Sequence, residues 1–316
     1  MNDKDEYCSI LCLDQGVSYT KAKANDTLDN FLNKARNDFG HAALFSPHVN
    51  KNIDETNFMV SPIVTIQVTK FECGGLAIST SSSHPAMDGF SNFQCTSEWA
   101  KVCRMGTPID KINFLSVNMG DIFPTRDIIG LFKSTPIPVI QQDIIVKRIV
   151  IREAVIARLR KKCIDESCGT LTFQPSRVEI ITAILWRAFI CATTIINGNA
   201  VNKIVASCKK ANSPDEIVST LVNSYNESFR SPEWGGNDEV DKVMCTSICK
   251  FPVHDSDFGL EKPNLIFFGM KDTQMFWLHD IGPEIGVQVD LKESCMQLFD
   301  LDDDIKDLIF IRDAKL

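Results

Sequence analysis

The chain has 316 residues, of which 44% are hydrophobic and 23% charged, a composition typical of a globular protein with one large domain or two ordinary ones. Its 33 basic and 41 acidic residues give a net charge of −8 with no lysine- or arginine-rich block, so we expect no nucleic-acid partner. We identify no signal-like N-terminus and no apolar stretch approaching the roughly 20 residues that span a bilayer, so we expect a cytoplasmic protein without membrane contact.

The N-terminal part of the sequence predicts strands followed by helices. CSILCL and VSYTKAKA are typical of strands, and TLDNFLNKAR predicts a helix capped by Asp26 or Thr27. The segment SPIVTIQVTKFECGGLAISTSSSH contains two β runs joined at Gly74–Gly75, which predicts a hairpin. Apolar residues at helical spacing in GFSNFQCTSEWAKVCRM predict the next helix. We interpret the proline-rich, aperiodic residues 105–142 as a crossover between two halves.

The second half repeats this mixture of helices and strands. DIIVKRIVI predicts a strand and REAVIARLRKKC a helix. QPSRVEIITAILWRAFICATTII predicts a long buried helix, whose start is marked by the capping-box pair Ser176 and Glu179. A helix is expected around residues 214–230, and two short acidic helices end the chain. Strands are expected in VMCTSICKF, NLIFFGM, QMFWLHD and EIGVQVDL. The interleaving predicts an α/β or α+β fold with mixed sheets.

The sequence SSSHPAMDGF places His84 and Asp88 four residues apart at the end of a predicted strand. Three interpretations are open: a catalytic base, half of a metal site, or a turn in which the aspartate caps the following helix. Pro85 and Gly89 favour a strand-to-helix turn over a helix interior. The remaining histidines form no matching cluster, so we expect no metal. The twelve cysteines are scattered without a Cys-x-x-Cys pair, which predicts buried free thiols.

A second segment, SICKFPVHDSDFGLEKP, favours the first of these interpretations. HPAMDG at residues 84–89 together with Asp257-Phe258-Gly259 resembles the plant BAHD family of coenzyme-A-dependent acyltransferases, which carries HxxxDG and, later in the chain, DFGWG. The CGG hairpin, the SRVE…WR helix and the CKFP run agree with this, and the resemblance covers nearly the whole chain. Acetyltransferase-type members that act on alkaloid, terpenoid or phenolic alcohols are the most similar.

The resemblance implies a two-domain, chloramphenicol-acetyltransferase-like fold with mixed sheets and an incomplete N-terminal domain. The expected division is an N-terminal half at 1–120, a crossover at 121–142 and a C-terminal half at 143–316. The implied reaction moves an acyl group, acetyl by expectation, from acyl-CoA to a hydroxyl or amine of a plant specialised metabolite. Acyl-CoA is a co-substrate, no cofactor is bound permanently, and the protein is expected to be a monomer. The alternative is a catalytically impaired relative with a binding role only.

Residue roles also follow from the resemblance. His84 matches the base that takes the acceptor proton, and Asp88 matches an aspartate used for structural support. Thr246 falls on a position near the acceptor, where its hydroxyl is expected to help hold the oxyanion; an ordinary strand threonine is the alternative. Ser176 and Arg177 open a helix and are expected to bind a CoA phosphate, with simple helix capping as the alternative. The segment Asp257–Gly259 is expected to support the fold.

The sequence departs from the family in three places. The family has additional residues before the CSILCLDQGVSYTKA equivalent. An NLRxR-like stretch is missing after the long helix, so we expect Asp88 to lack its usual arginine and to be left buried and unpaired. DFGWG is DFGLE here, and Ile248 stands where a tryptophan is usual.

Overall fold

The computed structural model describes residues 16–35, 45, 63–83, 86–106, 108, 111–112, 144–166, 173–197, 243–269 and 274–309. The CSILCL strand, most of the crossover and the helix expected around 214–230 lie outside these residues, and so does His84. The described strands form two sheets, one from each half of the sequence. The domain boundaries themselves stay a prediction.

The first sheet has the order β1-β2-β3. Strand β1 (Ser18–Ala24) runs parallel to β2 (Val64–Phe71), and helix α1 (Leu28–Ala35) follows β1 along the chain. Strand β3 (Leu76–Ser82) pairs antiparallel with β2, which confirms the predicted hairpin. Its turn needs a left-handed residue, and Gly74 supplies it with φ +90°.

Helix α2 (Gly89–Met105) follows the hairpin, as predicted, and is defined at both ends. The carboxylate of Asp88 accepts a hydrogen bond from the Ser91 amide at 2.8 Å, which caps the first turn. Gly106 adopts a left-handed conformation, and its amide donates to the carbonyl of Val102 at 2.9 Å, which ends the helix.

The second sheet has the order β4-β7-β6-β5. Strands β4 (Ile144–Ile151), β7 (Glu284–Lys292) and β6 (Met275–Ile281) are antiparallel neighbours, and the short β5 (Met244–Ser247) runs parallel to β6. Alternate residues of a strand face opposite sides. One set, which includes Phe276 and Leu278, enters the main core. The other set, which includes Thr246, Trp277 and His279, forms what we call the inner face of this sheet.

Four helices cover the core side of the second sheet. They are α3 (Glu153–Glu166), α4 (Arg177–Asn197), α5 (Glu293–Phe299) and α6 (Asp303–Ile309). Each fully buried Leu, Ile or Phe contributes about 1.5–3 kcal/mol of transfer free energy, so this core is the main source of stability in the C-terminal half. Its large side chains with almost no exposure include Ile151, Ile156, Ile181, Leu185, Phe276, Leu278, Ile285, Leu291 and Phe299.

Helix α4 corrects one statement made from the sequence. Within the described part of the chain, Arg177–Ile196 is long and apolar enough to cross a membrane by length and composition alone. The expectation that no apolar stretch approaches that length was therefore wrong. Only 33% of this apolar stretch is buried among the described residues, including Ile181, Leu185 and Phe189 in the core beside the second sheet. The predicted long buried helix is therefore buried on one side only.

Two predicted strands differ in the structure. The strand expected in VMCTSICKF ends at Ser247, after which a turn leads into a 3₁₀ helix, Pro252–Asp255. The strand expected in NLIFFGM is irregular over residues 265–269. There the side-chain amide of Gln288 on β7 donates to the carbonyl of Phe268 at 2.9 Å and accepts from its amide at 3.0 Å. A side chain thus satisfies the backbone groups that a neighbouring strand would otherwise bind.

Candidate functional site

The residues around the HPAMDG segment form a turn between β3 and α2. The carbonyl of Ser83 accepts hydrogen bonds from the amides of Ala86 and Met87, both at 3.0 Å. Asp88 is exposed and caps α2, so the expectation of a buried, unpaired carboxylate was wrong. The predicted role of His84 as base stays a prediction because this residue lies outside the described ones.

The first turn of α2 packs on an aromatic ring from the C-terminal half. A Cβ atom at Gly89 would lie 3.4 Å from Cε2 of Phe251, so the ring lies close against the helix backbone. Phe251 also meets Phe90 edge-on at 5.4 Å and Phe93 at 6.3 Å between ring centroids. The two sequence segments that resemble family motifs are thus in contact through this ring. Sequence reasoning noted Phe251 only as part of the CKFP run and assigned it no function.

The DFG segment lies at the other end of α2. Asp257 forms an ion pair with Arg104, and the ring of Phe258 meets Trp99 edge-on at 4.6 Å. The Gly259 amide, at 2.8 Å, and the Arg104 guanidinium hold the pKa of Asp257 below its usual range. From Gly89 to Arg104 the helix rises about 22 Å. The DFG segment is therefore remote from the HPAMDG turn.

Thr246 lies on the inner face of the second sheet, beside Trp277 in the parallel register of β5 and β6. The indole of Trp277 stacks on Phe268 at 4.5 Å with an interplanar angle of 6°. Its Nε1 donates to the carboxylate of Asp290 at 3.1 Å, and this carboxylate also accepts from the side-chain Nε2 of Gln288 at 3.1 Å. The neighbourhood of Thr246 is therefore a rigid surface of aromatic rings over buried polar groups. Nothing in the sequence indicated a functional role for Trp277 beyond its place in a predicted strand.

Ser176 and Arg177 open α4. The Ser176 hydroxyl accepts from the Glu179 amide at 3.2 Å, and the Glu179 carboxylate accepts from the Ser176 amide at 2.7 Å, which confirms the capping box. The Ser176 amide lowers the pKa of Glu179. Arg177 donates to Asp280 at 3.0 Å and to the Pro283 carbonyl at 2.9 Å. Its predicted contact with a CoA phosphate stays a prediction.

His279 is buried on the inner face with 2% exposure. Burial, and secondarily the positive charge of Arg148, lowers the pKa of His279 to about 4, so this imidazole is neutral at pH 7. Its ring lies over Gly286, the residue opposite it on β7. Because the ring is enclosed in the sheet, we regard it as a structural histidine.

A cleft of about 270 Å³ opens at the C-terminal end of α2, beside the DFG segment. Its lining mixes both signs of charge: Lys101, Arg104, Lys262, Asp255 and Asp257, together with Met105 and His254. Two of the cations are already paired, Arg104 with Asp257 and Lys101 with Glu98 at 2.6 Å. The cleft therefore has no strong net attraction for an anion, and it is remote from the HPAMDG turn.

Among the described residues, no group of three or more His, Cys, Asp or Glu side chains is arranged to hold a metal ion. The cysteines in those same ranges are free thiols. Only Cys295 among them is fully buried and five are exposed, so the expectation that they are mostly buried was wrong for these positions.

Comparison with known proteins adds the following. The profile of the Transferase family matches residues 1–205. A limonoid 21-O-acetyltransferase of Melia azedarach is 26% identical over 342 residues, covering 92% of this chain and 77% of that protein. An acetyl-CoA-benzylalcohol acetyltransferase of Clarkia breweri is 25% identical, covering 82% of this chain and 71% of that protein.

Among solved structures, vinorine synthase superimposes with a TM-score of 0.65 at 18% identity, covering 94% of this chain and 77% of that one. This likeness confirms the predicted chloramphenicol-acetyltransferase-like α/β fold with mixed sheets.

Proposed function

The chain belongs to the Transferase family, the BAHD acyltransferases, and from that membership we propose that it acetylates a hydroxyl group of a plant specialised metabolite. It is a coenzyme-A-dependent acyltransferase, and relatives named as acetyltransferases of a limonoid and of benzyl alcohol support the acetyl group and the alcohol acceptor. The substrates are thus acyl-CoA and a small organic alcohol. An amine acceptor would react with acyl-CoA by the same chemistry.

The structural observation that supports this proposal is the position of helix α2. Helix α2 begins directly after the HPAMDG turn, packs its first turn on Phe251, and reaches the DFG segment through Trp99 and Arg104. Both family-like segments are therefore attached to one rigid element. The reaction belongs at the start of this helix, because the DFG end is about 22 Å farther along it.

We propose that His84 is the general base. An alcohol is a weak nucleophile until a positioned base removes its proton, and such a base contributes typically 10²–10⁴-fold to the rate. The alkoxide oxygen attacks the thioester carbonyl, a tetrahedral oxyanion forms, and its collapse expels CoA thiolate, which takes up the proton. No covalent acyl-enzyme is needed. Asp88 supports this step indirectly, because its cap on Ser91 fixes the start of α2.

We further propose that the hydroxyl group of Thr246 donates a hydrogen bond to the oxyanion. Its place beside Trp277, on a surface stiffened by the stack on Phe268, supports a fixed donor and an apolar neighbour for the acceptor. For the phosphates of CoA we propose the start of α4, where Ser176 and Arg177 lie. A guanidinium has five N–H donors, and the described bonds of Arg177 to Asp280 and Pro283 account for two of them, which supports a role for the remaining donors toward a phosphate.

The test is an acyl-transfer assay. Purified protein is incubated with acetyl-CoA and a panel of limonoid, alkaloid and phenolic alcohols, and free thiol release is followed. Thiol release that depends on the acceptor and falls about 10²–10⁴-fold in His84→Ala supports the proposal. Lys161→Ala is the matched control, because this exposed lysine lies on α3 and pairs with Asp165 of the same helix. Absence of acceptor-dependent release, in protein shown to be folded, would favour the alternative of a relative with a binding role only.

A further inference from the structure

Asp280, the penultimate residue of β6, joins three separate segments. One carboxylate oxygen accepts from Arg177 at the start of α4 at 3.0 Å, and the other accepts from the backbone amide of Lys250 at 2.6 Å. Its backbone carbonyl meets Nε2 of His254 in the 3₁₀ helix at 2.5 Å. The side chains of Arg177 and Asp280 are 33% and 24% exposed, so the pair is partly shielded from water. Hydrogen bonds of this charge-assisted kind are about twice as strong as neutral ones.

Lys250 has an unusual backbone conformation. Its φ of 70° is left-handed, a strained conformation for a residue with a side chain, and such a conformation persists only where the surrounding structure holds it. The bond from its amide to Asp280 supplies such a constraint. The turn is closed when the Phe251 amide donates to the Ile248 carbonyl at 3.1 Å. The direction in which the chain leaves β5, and with it the position of the Phe251 ring, therefore depends on the Asp280 carboxylate.

The Phe251 ring in turn supports the first turn of α2. It lies against the backbone of Gly89, directly after the Asp88 that caps the helix. Thr246 on β5 lies only a few residues before the same turn. One turn thus connects the strand that carries Thr246 to the helix start that follows the HPAMDG segment.

We propose that Asp280, oriented by Arg177, is a positioning residue for acyl transfer: it holds the Lys250 turn so that Phe251 fixes the start of α2, and with it the preceding turn at Ala86 and Met87, relative to Thr246. The inference rests on the proposed function and goes beyond it. It assigns a role to an aspartate that lies in neither family-like motif. Misalignment of a reacting group by about 1 Å can cost 10²-fold in rate, so the effect falls on kcat.

The experiment compares Asp280→Asn with Asp302→Asn. Asp302 is a close match, because it also pairs with an arginine of α4, Arg187 at 2.6 Å, and also accepts a backbone amide, but it lies away from the Lys250 turn. Asparagine keeps the size of the side chain in both and removes the charge.

Two readouts are measured, kinetics and hydrogen exchange. We expect Asp280→Asn to lower kcat about 10–10²-fold and Asp302→Asn to leave kcat nearly unchanged. We also expect faster amide exchange at Ser91 and its neighbours in Asp280→Asn but not in Asp302→Asn. Phe251→Leu, which keeps an apolar side chain but removes the ring, should reproduce both effects.

Unchanged exchange at the start of α2 in Asp280→Asn would overturn the proposal, whatever the activity and whatever the result for Phe251→Leu. Equal losses of kcat in the two aspartate variants would overturn it too, because the effect would then be general destabilisation. If the wild type transfers no acyl group, the proposed function fails separately, and the exchange experiment alone decides the coupling. If Asp280→Asn does not fold, Phe251→Leu tests the same contact.

Discussion

Replacing Gly286 with alanine tests the packing of His279 within the second sheet. The added Cβ would lie 2.4 Å from Nε2 and 2.6 Å from Cε1 of His279, and 2.8 Å from Cδ1 of Ile281. Ordinary contact begins at 3.4 Å, so the imidazole must retreat by about an ångström. The Ile281 atom is the end of a flexible side chain and can rotate away.

The imidazole has little room to move. It is 2% exposed and its Nδ1 lies 3.3 Å from the Asp280 carbonyl. Forcing extra atoms into such a site costs typically about 1–3 kcal/mol, and we expect the upper part of this range for Gly286→Ala. If His279 is first replaced by alanine, the obstruction is gone. Gly286→Ala should then be neutral or slightly stabilising, because glycine within a strand is unfavourable by roughly 0.5–1 kcal/mol.

The assay is a double-mutant cycle in urea with the wild type, both single variants and the double variant. The coupling energy should be about 2 kcal/mol or more, in the sense that the double variant is more stable than the sum of the single effects predicts. Additive losses would refute the reasoning, since they would mean that His279 is not what obstructs a side chain at position 286. A free energy of unfolding for Gly286→Ala within about 0.5 kcal/mol of the wild type would refute it as well.

Two further outcomes are expected. The unfolded chain protonates His279 near pH 6.5 and the folded protein only near pH 4, because of burial and Arg148, so stability falls as the pH drops below 6.5. Urea unfolding should show a loss of about 2 kcal/mol between about pH 7 and pH 5 that is absent in His279→Gln, and an equal loss in both proteins would contradict this. Asp88→Ala should lower the free energy of unfolding by about 1 kcal/mol and Asp88→Asn by only a few tenths, because asparagine still accepts the Ser91 amide. Equal losses in these two variants would show that the charge, not the cap, matters.

Local signals in the sequence predicted the local structure well. The two glycines at 74 and 75, the Ser176–Glu179 pair and the helical spacing after Gly89 all specify structure through neighbours a few residues away. The resemblance of HPAMDG and DFG to one family likewise predicted the fold. Two motifs that occur in the same order as in a family are visible in the sequence without knowledge of any contact.

Contacts between distant segments were not predictable. Residues 265–269 have the composition of a strand, but Gln288 satisfies the backbone of Phe268, and nothing in the sequence pairs these two positions. The partner of Arg177, Asp280, and the packing of Phe251 on Gly89 likewise depend on how the halves of the chain come together. The expectation for Asp88 failed for a related reason: whether a carboxylate is buried is a property of the folded surface and not of a motif.

The order of the second sheet also has a consequence for synthesis. Strand β4 pairs with β7, and Lys147 of β4 forms an ion pair with Asp300, 153 positions later. The two central strands, β6 and β7, follow β4 and β5 in the sequence and therefore leave the ribosome after them. Until the β6–β7 hairpin emerges, β4 and the apolar faces of α3 and α4 have no sheet to pack on. Closure of this long loop is slow and favours aggregation of the exposed segments. This half of the nascent chain therefore cannot complete its fold until the β6–β7 hairpin has been synthesised.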